Sequence, residues 1–339
     1  LFDNTEMNQL RENQYEFAPH LIPNFVKKYP ISYEALKWIT GKPKLFNLQE
    51  AKSYYIAAGI DVGEGLKQDY SVINFNRLQM KPLDLIERDR EKFLSVYDYF
   101  QLEQVGLFRS NLFNEVELAH IFYLTFYELF DPEKCRVVLE LNGPGGAFKN
   151  ALPSVFNGNN EYYGESIFVK YQHNLNSEIK KPGLKVNRNK KTNIRTYQDA
   201  VKHNNLITHD EWTLNEVSLF SRHDTPSGDY TYKASTGNDD CIMSVINLAT
   251  IFDNIAYRNM VDHYLEFAAT AEEKQLLEKE TNFETVSDYY TSFGKARAQI
   301  TGQGVNPFKR LRNYPQLGQM RNWSVDGAME IAKRNFPHR

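Results

Sequence analysis

Cysteine is nearly missing from this chain: 339 residues carry only Cys135 and Cys241. That rules out a disulfide scaffold and fits a reducing compartment. Long apolar runs are missing too. The longest strongly apolar stretch, Ile121 to Phe130, is broken by Thr125 and Glu128, so it reads as a buried helix and not a membrane span. No basic and apolar leader follows Leu1, so no signal peptide is expected. There is no GxxxxGK[ST], which excludes a P-loop ATPase within these residues, and no HExxH, CxxC or GxSxG. The glycines at Gly143, Gly145 and Gly146 follow a strand but lack the spacing of a dinucleotide fingerprint. Charge of one sign is also lacking overall. The net value of -3 excludes a wholly basic nucleic-acid coat.

Aromatics are plentiful, with 22 Phe and 21 Tyr, which excludes disorder of the whole chain. A chain this long buries roughly three quarters of its unfolded surface without staples. Charge is unevenly placed. Lys180, Lys181, Lys185, Arg188, Lys190, Lys191 and Arg195 form one run without an acid. From Lys295 to Arg339 basic residues again prevail, opposed only by Asp326 and Glu330. One such run is ordinarily a solvated face, but two in an otherwise acidic chain point to a polyanion partner.

The pattern divides the chain into a lead-in or linker over 1–50, a core over 51–256 and a helical, basic extension over 257–339. Tyr54 to Ile60 reads as a strand buried on both faces, Tyr70 to Phe75 as a second strand and Leu83 to Arg88 as a third. Asn114 to Phe130 carries the broad apolar stripe of a core helix, and Cys135 to Leu141 another buried strand. Ser166 to Tyr171 predicts a strand, Thr192 to His203 a helix, Leu206 to Thr208 a strand and Cys241 to Ile255 a helix. An antiparallel start followed by crossovers gives an α/β fold, a mixed sheet of five or more strands with helices on both faces.

Four acids stand at strand ends or a helix start: Asp61, Glu140, Asp239 and Asp240. A carboxylate at the end of a Val/Leu-rich strand carries a large desolvation cost unless its charge is compensated. A divalent metal compensates it, and oxygen-only ligands suit Mg²⁺ or Mn²⁺. Each acid also has a plain structural reading. Asp61 can serve the turn at Gly63 and Gly65, Glu140 can reach solvent, Asp239 can cap the helix, and Asp240 can sit with its dipole.

The blocks Gly59-Ile60-Asp61-Val62-Gly63-Glu64-Gly65, Asp69 to Ile73, Val138-Leu139-Glu140-Leu141-Asn142 with its glycine turn, Gly183 to Ile194, and Gly237-Asn238-Asp239-Asp240 occur in one order over 54–255. In this the chain resembles the C-terminal nuclease domain of the large terminase subunit of tailed double-stranded DNA bacteriophages. The resemblance implies an RNase H-like fold and a metal-dependent endonuclease that cuts concatemeric double-stranded DNA during genome packaging. It implies two Mg²⁺ or Mn²⁺ ions on Asp61, Glu140 and the Asp239–Asp240 pair, without saying which of the pair ligates. Lys185, Arg188, Lys190, Lys191 and Arg195 would then neutralise DNA phosphates. Implied partners are the portal protein and the small terminase subunit, and the implied location is the host cytoplasm, transiently at the procapsid. Lys309, Arg310 and Arg312 would grip DNA or dock on the portal.

Two departures stand out. Asn238 occupies a place where many relatives have His, and the family's ATPase motor is absent from these residues. The chain is then a piece of a longer protein, or the motor is a separate chain. Two other readings stay open: another RNase H-like nuclease of the junction-resolvase or transposase type, and a non-catalytic DNA or portal adaptor whose acids are structural.

Overall fold

Strand pairing explains why the first buried strand tolerates almost no polar residue. The computed structural model describes residues 1–19, 35–63, 69–89, 91, 93, 95–156, 166–173, 179–186, 190–224 and 230–281. In chain order these form α1 (Asn4–Glu12), β1 (Phe17–Pro19), β2 (Leu36–Ile39), β3 (Ile56–Asp61), β4 (Ser71–Met80), α2 (Leu83–Asp89) and β5 (Phe100–Ser110). Then come α3 (Glu115–Tyr123), β6 (Cys135–Leu139), α4 (Pro144–Val155), β7 (Lys170–Gln172), β8 (Lys180–Pro182), α5 (Lys190–Lys202) and β9 (Leu206–Ile207). The last elements of this unit are α6 (Glu211–Leu219), β10 (Phe220–Asp224), β11 (Tyr230–Ala234), α7 (Asp240–Ala249) and α8 (Ile255–Phe267). The chain divides into two units, Leu1–Ala269 and Thr270–Arg339. In the second, α9 (Ala271–Thr281) starts at Thr270, whose hydroxyl accepts the Glu273 N–H while the Glu273 carboxylate accepts the Thr270 N–H.

The main sheet has seven strands in the order β1-β2-β5-β4-β3-β6, with β9 pairing β5. β3, β4 and β5 form an antiparallel meander, and β6 joins β3 in parallel. Beyond β6, Phe168 makes a single parallel bridge to Val137. This is the mixed α/β arrangement expected of an RNase H-like fold. β3 lies between β4 and β6 and is covered on both faces, so every residue of it except Asp61 is buried.

Period two sorts the strand residues between the faces. Ile56, Ala58 and Ile60 of β3 and Val137 and Leu139 of β6 join an aromatic core with Trp38, Phe75, Phe122 and Phe148. The opposite face receives α7, where Val72, Leu107 and Cys241 cluster. Gly59 and Asp61 fall on that second face, as do Val138 and Glu140 by alternation with Val137 and Leu139. Residues 36–39, read as part of a lead-in, supply β2 on the free side of β5, and Trp38 is fully buried there.

Leu83 to Arg88 is not the third strand. It is α2, entered from Pro82, whose carbonyl accepts the N–H groups of Leu85 and Ile86. The Leu-Asp-Leu alternation suggested a strand, but only Ile86 and Asp89 are buried, a spacing of three that belongs to a helix. The third strand of the meander is β5, a segment with no strand reading of its own, and it carries buried Gln101 and Gln104. The core helix read over Asn114 to Phe130 is present, opened by a reciprocal Asn114–Glu117 cap. It widens to a π-helix over Leu124–Leu129, where the Thr125 hydroxyl donates to the Ile121 carbonyl.

Candidate active site

β3 and β6 end side by side. Ile60 pairs with Leu139, and the Glu140 N–H donates to the Ile60 carbonyl at 3.1 Å. Asp61 and Glu140 are the next residues of the two strands, so both carboxylates leave the sheet at one end and on one face. α7 crosses that face closely because Gly59 has no side chain. A Cβ at Gly59 would lie 2.0 Å from the Ser244 carbonyl oxygen and 2.9 Å from Leu248 Cβ. With Asp239 at its cap and Asp240 as its first residue, α7 brings the acid pair to the end of β3. Gly145 plays a similar part at β6: a Cβ there would meet the Glu140 carbonyl at 1.8 Å, so only glycine lets α4 turn away so sharply.

The acids feel one another. The Asp61 carboxyl is held well above the usual carboxylate range, first by loss of water around it, then by Glu140, Asp240 and Asp239, with Lys190 opposing. Desolvation also raises Glu140, against two side-chain amides and Lys190. Asp240 is pushed up to about 6 by desolvation, Asp239 and Asp69, while the Tyr70 N–H and Arg109 oppose. The donor set therefore fits a hard divalent cation: oxygen ligands only, mutually repelling and partly stripped of water. As they stand, no three His, Cys, Asp or Glu side chains among the described residues are grouped closely enough to hold a metal ion.

Several participants escaped the sequence reading. Asn142 and Asn247 each donate a side-chain N–H to a different oxygen of Glu140, both at 2.8 Å. Asn247 Oδ1 is itself buried without a hydrogen-bond partner. The available signal was spacing. Asp240, Ser244 and Asn247 recur at four and three residues within an otherwise apolar helix, a polar stripe aimed at the strand ends. Nothing local marked Arg109, whose guanidinium lies over the rings of Tyr70 and Trp212, or Glu216, which reaches the head of α7 from α6.

The basic run separates by helix geometry. Asn193, Ile194, Tyr197 and Ala200 form the buried stripe of α5, and Lys190 heads that stripe, where its charge acts on both Asp61 and Glu140. The Lys191 ammonium lies 3.9 Å over the Tyr230 ring. Lys185 and Arg195 are exposed, and Arg188 lies outside the described residues, as does the basic stretch from Lys295.

No protein-family model matches this chain, and no curated protein does. Solved structures do. Among them are large-terminase nucleases. That of thermophilic phage G20c with bound magnesium aligns at a TM-score of 0.43 and 16% identity, covering 72% of this chain and 96% of its own. The cobalt-bound form of the same nuclease gives the same values. The large terminase nuclease domain of Thermus phage P74-26 aligns at a TM-score of 0.41 and 15% identity, covering 73% and 94%.

Proposed function

We propose that this chain is the metal-dependent endonuclease of a viral DNA-packaging terminase, cutting concatemeric double-stranded DNA. The observation that carries the reading is the meeting of Asp61, Glu140, Asp239 and Asp240 at the shared ends of two parallel strands and one helix, with Asp61 desolvated against three like charges. We take 51–256 as the segment that carries the chemistry and 257–339 as its extension. When bound, two Mg²⁺ or Mn²⁺ ions supply an activated water and a Lewis acid for the departing 3′ oxygen. Asp61, Glu140 and the acid pair are the residues that would hold them.

The chain's own groups divide the remaining work. Asn142 and Asn247 fix the Glu140 carboxylate while leaving each oxygen a second lone pair. Lys190, turned toward the acids, balances their charge and meets the scissile phosphate. Lys185, Arg188, Lys191 and Arg195 follow the DNA backbone, a contact without base preference that weakens with salt. The portal protein and the small terminase subunit are the partners this role implies, in the host cytoplasm and at the procapsid. No helix of the described residues is long and apolar enough to cross a membrane.

The primary test is incubation with plasmid DNA and Mn²⁺, with and without chelator. Cutting that the chelator stops is the expected result, and a protein that binds DNA without cutting would be an adaptor instead. Beside it, 1 mM Mn²⁺ should raise the melting temperature of the wild type and not that of Asp61→Asn, because a ligand stabilises only the fold it binds. Equal shifts would place the metal elsewhere.

The two kinds of basic residue on α5 should also separate. Lys191→Ala with Arg195→Ala should lower the slope of log affinity against log salt by roughly two units, about 0.9 per lost phosphate contact. Lys190→Ala should mainly slow cleavage. If the slope stays unchanged in the double variant, α5 does not lie along DNA.

A further inference from the structure

The head of α7 is capped in an unusual way. An aspartate just before a helix ordinarily accepts the N–H of the second or third helical residue. Asp239 occupies that position and makes no such bond. Those two amides are taken by Glu216 of α6, whose Oε2 accepts the Cys241 N–H at 2.7 Å and the Ile242 N–H at 3.0 Å. Glu216 is 7% exposed, so this is a buried carboxylate spent on a helix that is not its own. Its Oε1 stands 4.0 Å from the Arg109 guanidinium. Arg109 lies 3.4 Å from the Tyr70 ring centre and 4.4 Å from that of Trp212. The Tyr70 N–H donates in turn to Asp240 Oδ2 at 3.0 Å. The contacts thus close a ring from Asp240 through Tyr70, Arg109 and Glu216 back to the first turn of α7.

We propose that Glu216 is a positioning residue for the acid cluster: by capping α7 from α6 it keeps the Asp239 carboxylate out of its own helix cap and available to a divalent cation. Arg109, clamped between two rings, holds Glu216 in place. Without Glu216, the nearest carboxylate for the two orphaned amides is Asp239 itself, once its backbone turns from φ -126° and ψ 18° to the extended conformation of an N-cap. The carboxylate would then turn from Asp61 and Glu140 toward its own backbone. What Asp239 ligates rests on the nuclease reading above, but the exchange of caps does not.

The experiment is a cycle of Asp239→Ala, Glu216→Ala and the double variant, with Glu216→Gln alongside, read first by metal-free melting. In the wild-type background Asp239→Ala should leave the melting temperature unchanged or raise it, since Asp239 caps nothing. In the Glu216→Ala background the same change should lower it by about 2 °C or more, the cost of losing a cap. Equal effects in both backgrounds, or a loss of stability from Asp239→Ala alone, would overturn the proposal. The second of these needs no Glu216 variant to fold.

Mn²⁺ titration gives the second readout. Glu216→Ala should weaken Mn²⁺ affinity about tenfold or more. Glu216→Gln, whose amide oxygen still accepts both N–H groups, should recover it to within about threefold. Failure of that rescue would also overturn the positioning role. If the wild type itself neither binds Mn²⁺ nor cuts DNA, the nuclease reading fails, and the melting cycle still judges the capping exchange.

Discussion

Asp61→Asn should abolish cleavage, by about a thousandfold or more, and at the same time make the metal-free protein more stable. The first half follows from removing a charged ligand that the site needs for its cation. The second follows from what that charge costs while no cation is bound. Its carboxyl is raised by desolvation and by three neighbouring acids, so the folded state holds its proton more tightly than the unfolded chain does. Below the unfolded value the group is neutral in both states and costs nothing. As pH rises, the unfolded chain ionises first, and stability falls until the folded group ionises as well. Asp240, raised from 3.8 to about 6, adds to the same slope. Metal-free wild type should therefore lose stability as pH rises from about 4 through about 6, and Asp61→Asn should lose less. Melting curves at pH 5 and pH 7.5 in chelator check this. A variant that cuts normally removes Asp61 from the site, and one that unfolds makes Asp61 a structural residue.

Gly59→Ala should be strongly damaging to both fold and site. The new methyl would stand 2.0 Å from the Ser244 carbonyl oxygen and 3.0 Å from its carbon, both backbone atoms of α7. β3 cannot retreat, because it is paired with β4 on one side and β6 on the other. α7 must move, and it carries Asp239 and Asp240. Overpacking of this kind costs about 1–3 kcal/mol, and contact with helix backbone places this case at the upper end or beyond. Loss of cleavage should accompany the loss of stability, since the acid pair is displaced from Asp61. Gly146→Ala is the matched control: its Cβ would meet nothing nearer than the Leu141 carbonyl at 3.5 Å, so urea unfolding should show little change or a small gain. Equal tolerance at both positions would mean that α7 does not depend on close approach to β3.

The four acids were legible because each sits where a local pattern ends. Asp61 closes a run of small and apolar residues, Glu140 follows Val137-Val138-Leu139, and Asp239–Asp240 open an apolar helix. β5 was not legible. A central strand is enclosed on both sides, and this one places Gln104 in the interior, where its side-chain oxygen accepts the N–H groups of His209 and Asp210. Those partners lie more than a hundred residues away, and no window of sequence contains both. Leu83 to Arg88 misled for the opposite reason: its short alternation was local and complete, but Pro82 and the burial of Ile86 and Asp89 decided for a helix.

By itself the sequence determined the buried strand, the apolar helix, the acids at their ends and the basic run, because each depends on residues within one turn or one strand length. Only the tertiary structure decided that Gly59 admits α7 and that Lys190 faces the acids while Arg195 faces solvent. It also decided that Asn142 and Asn247 hold Glu140, and that Glu216 stands in for Asp239 at the head of its helix. Those outcomes depend on which backbone atoms are forced within 3 Å of one another. That is a property of how strands and helices pack, and residues far apart in the chain share the cost.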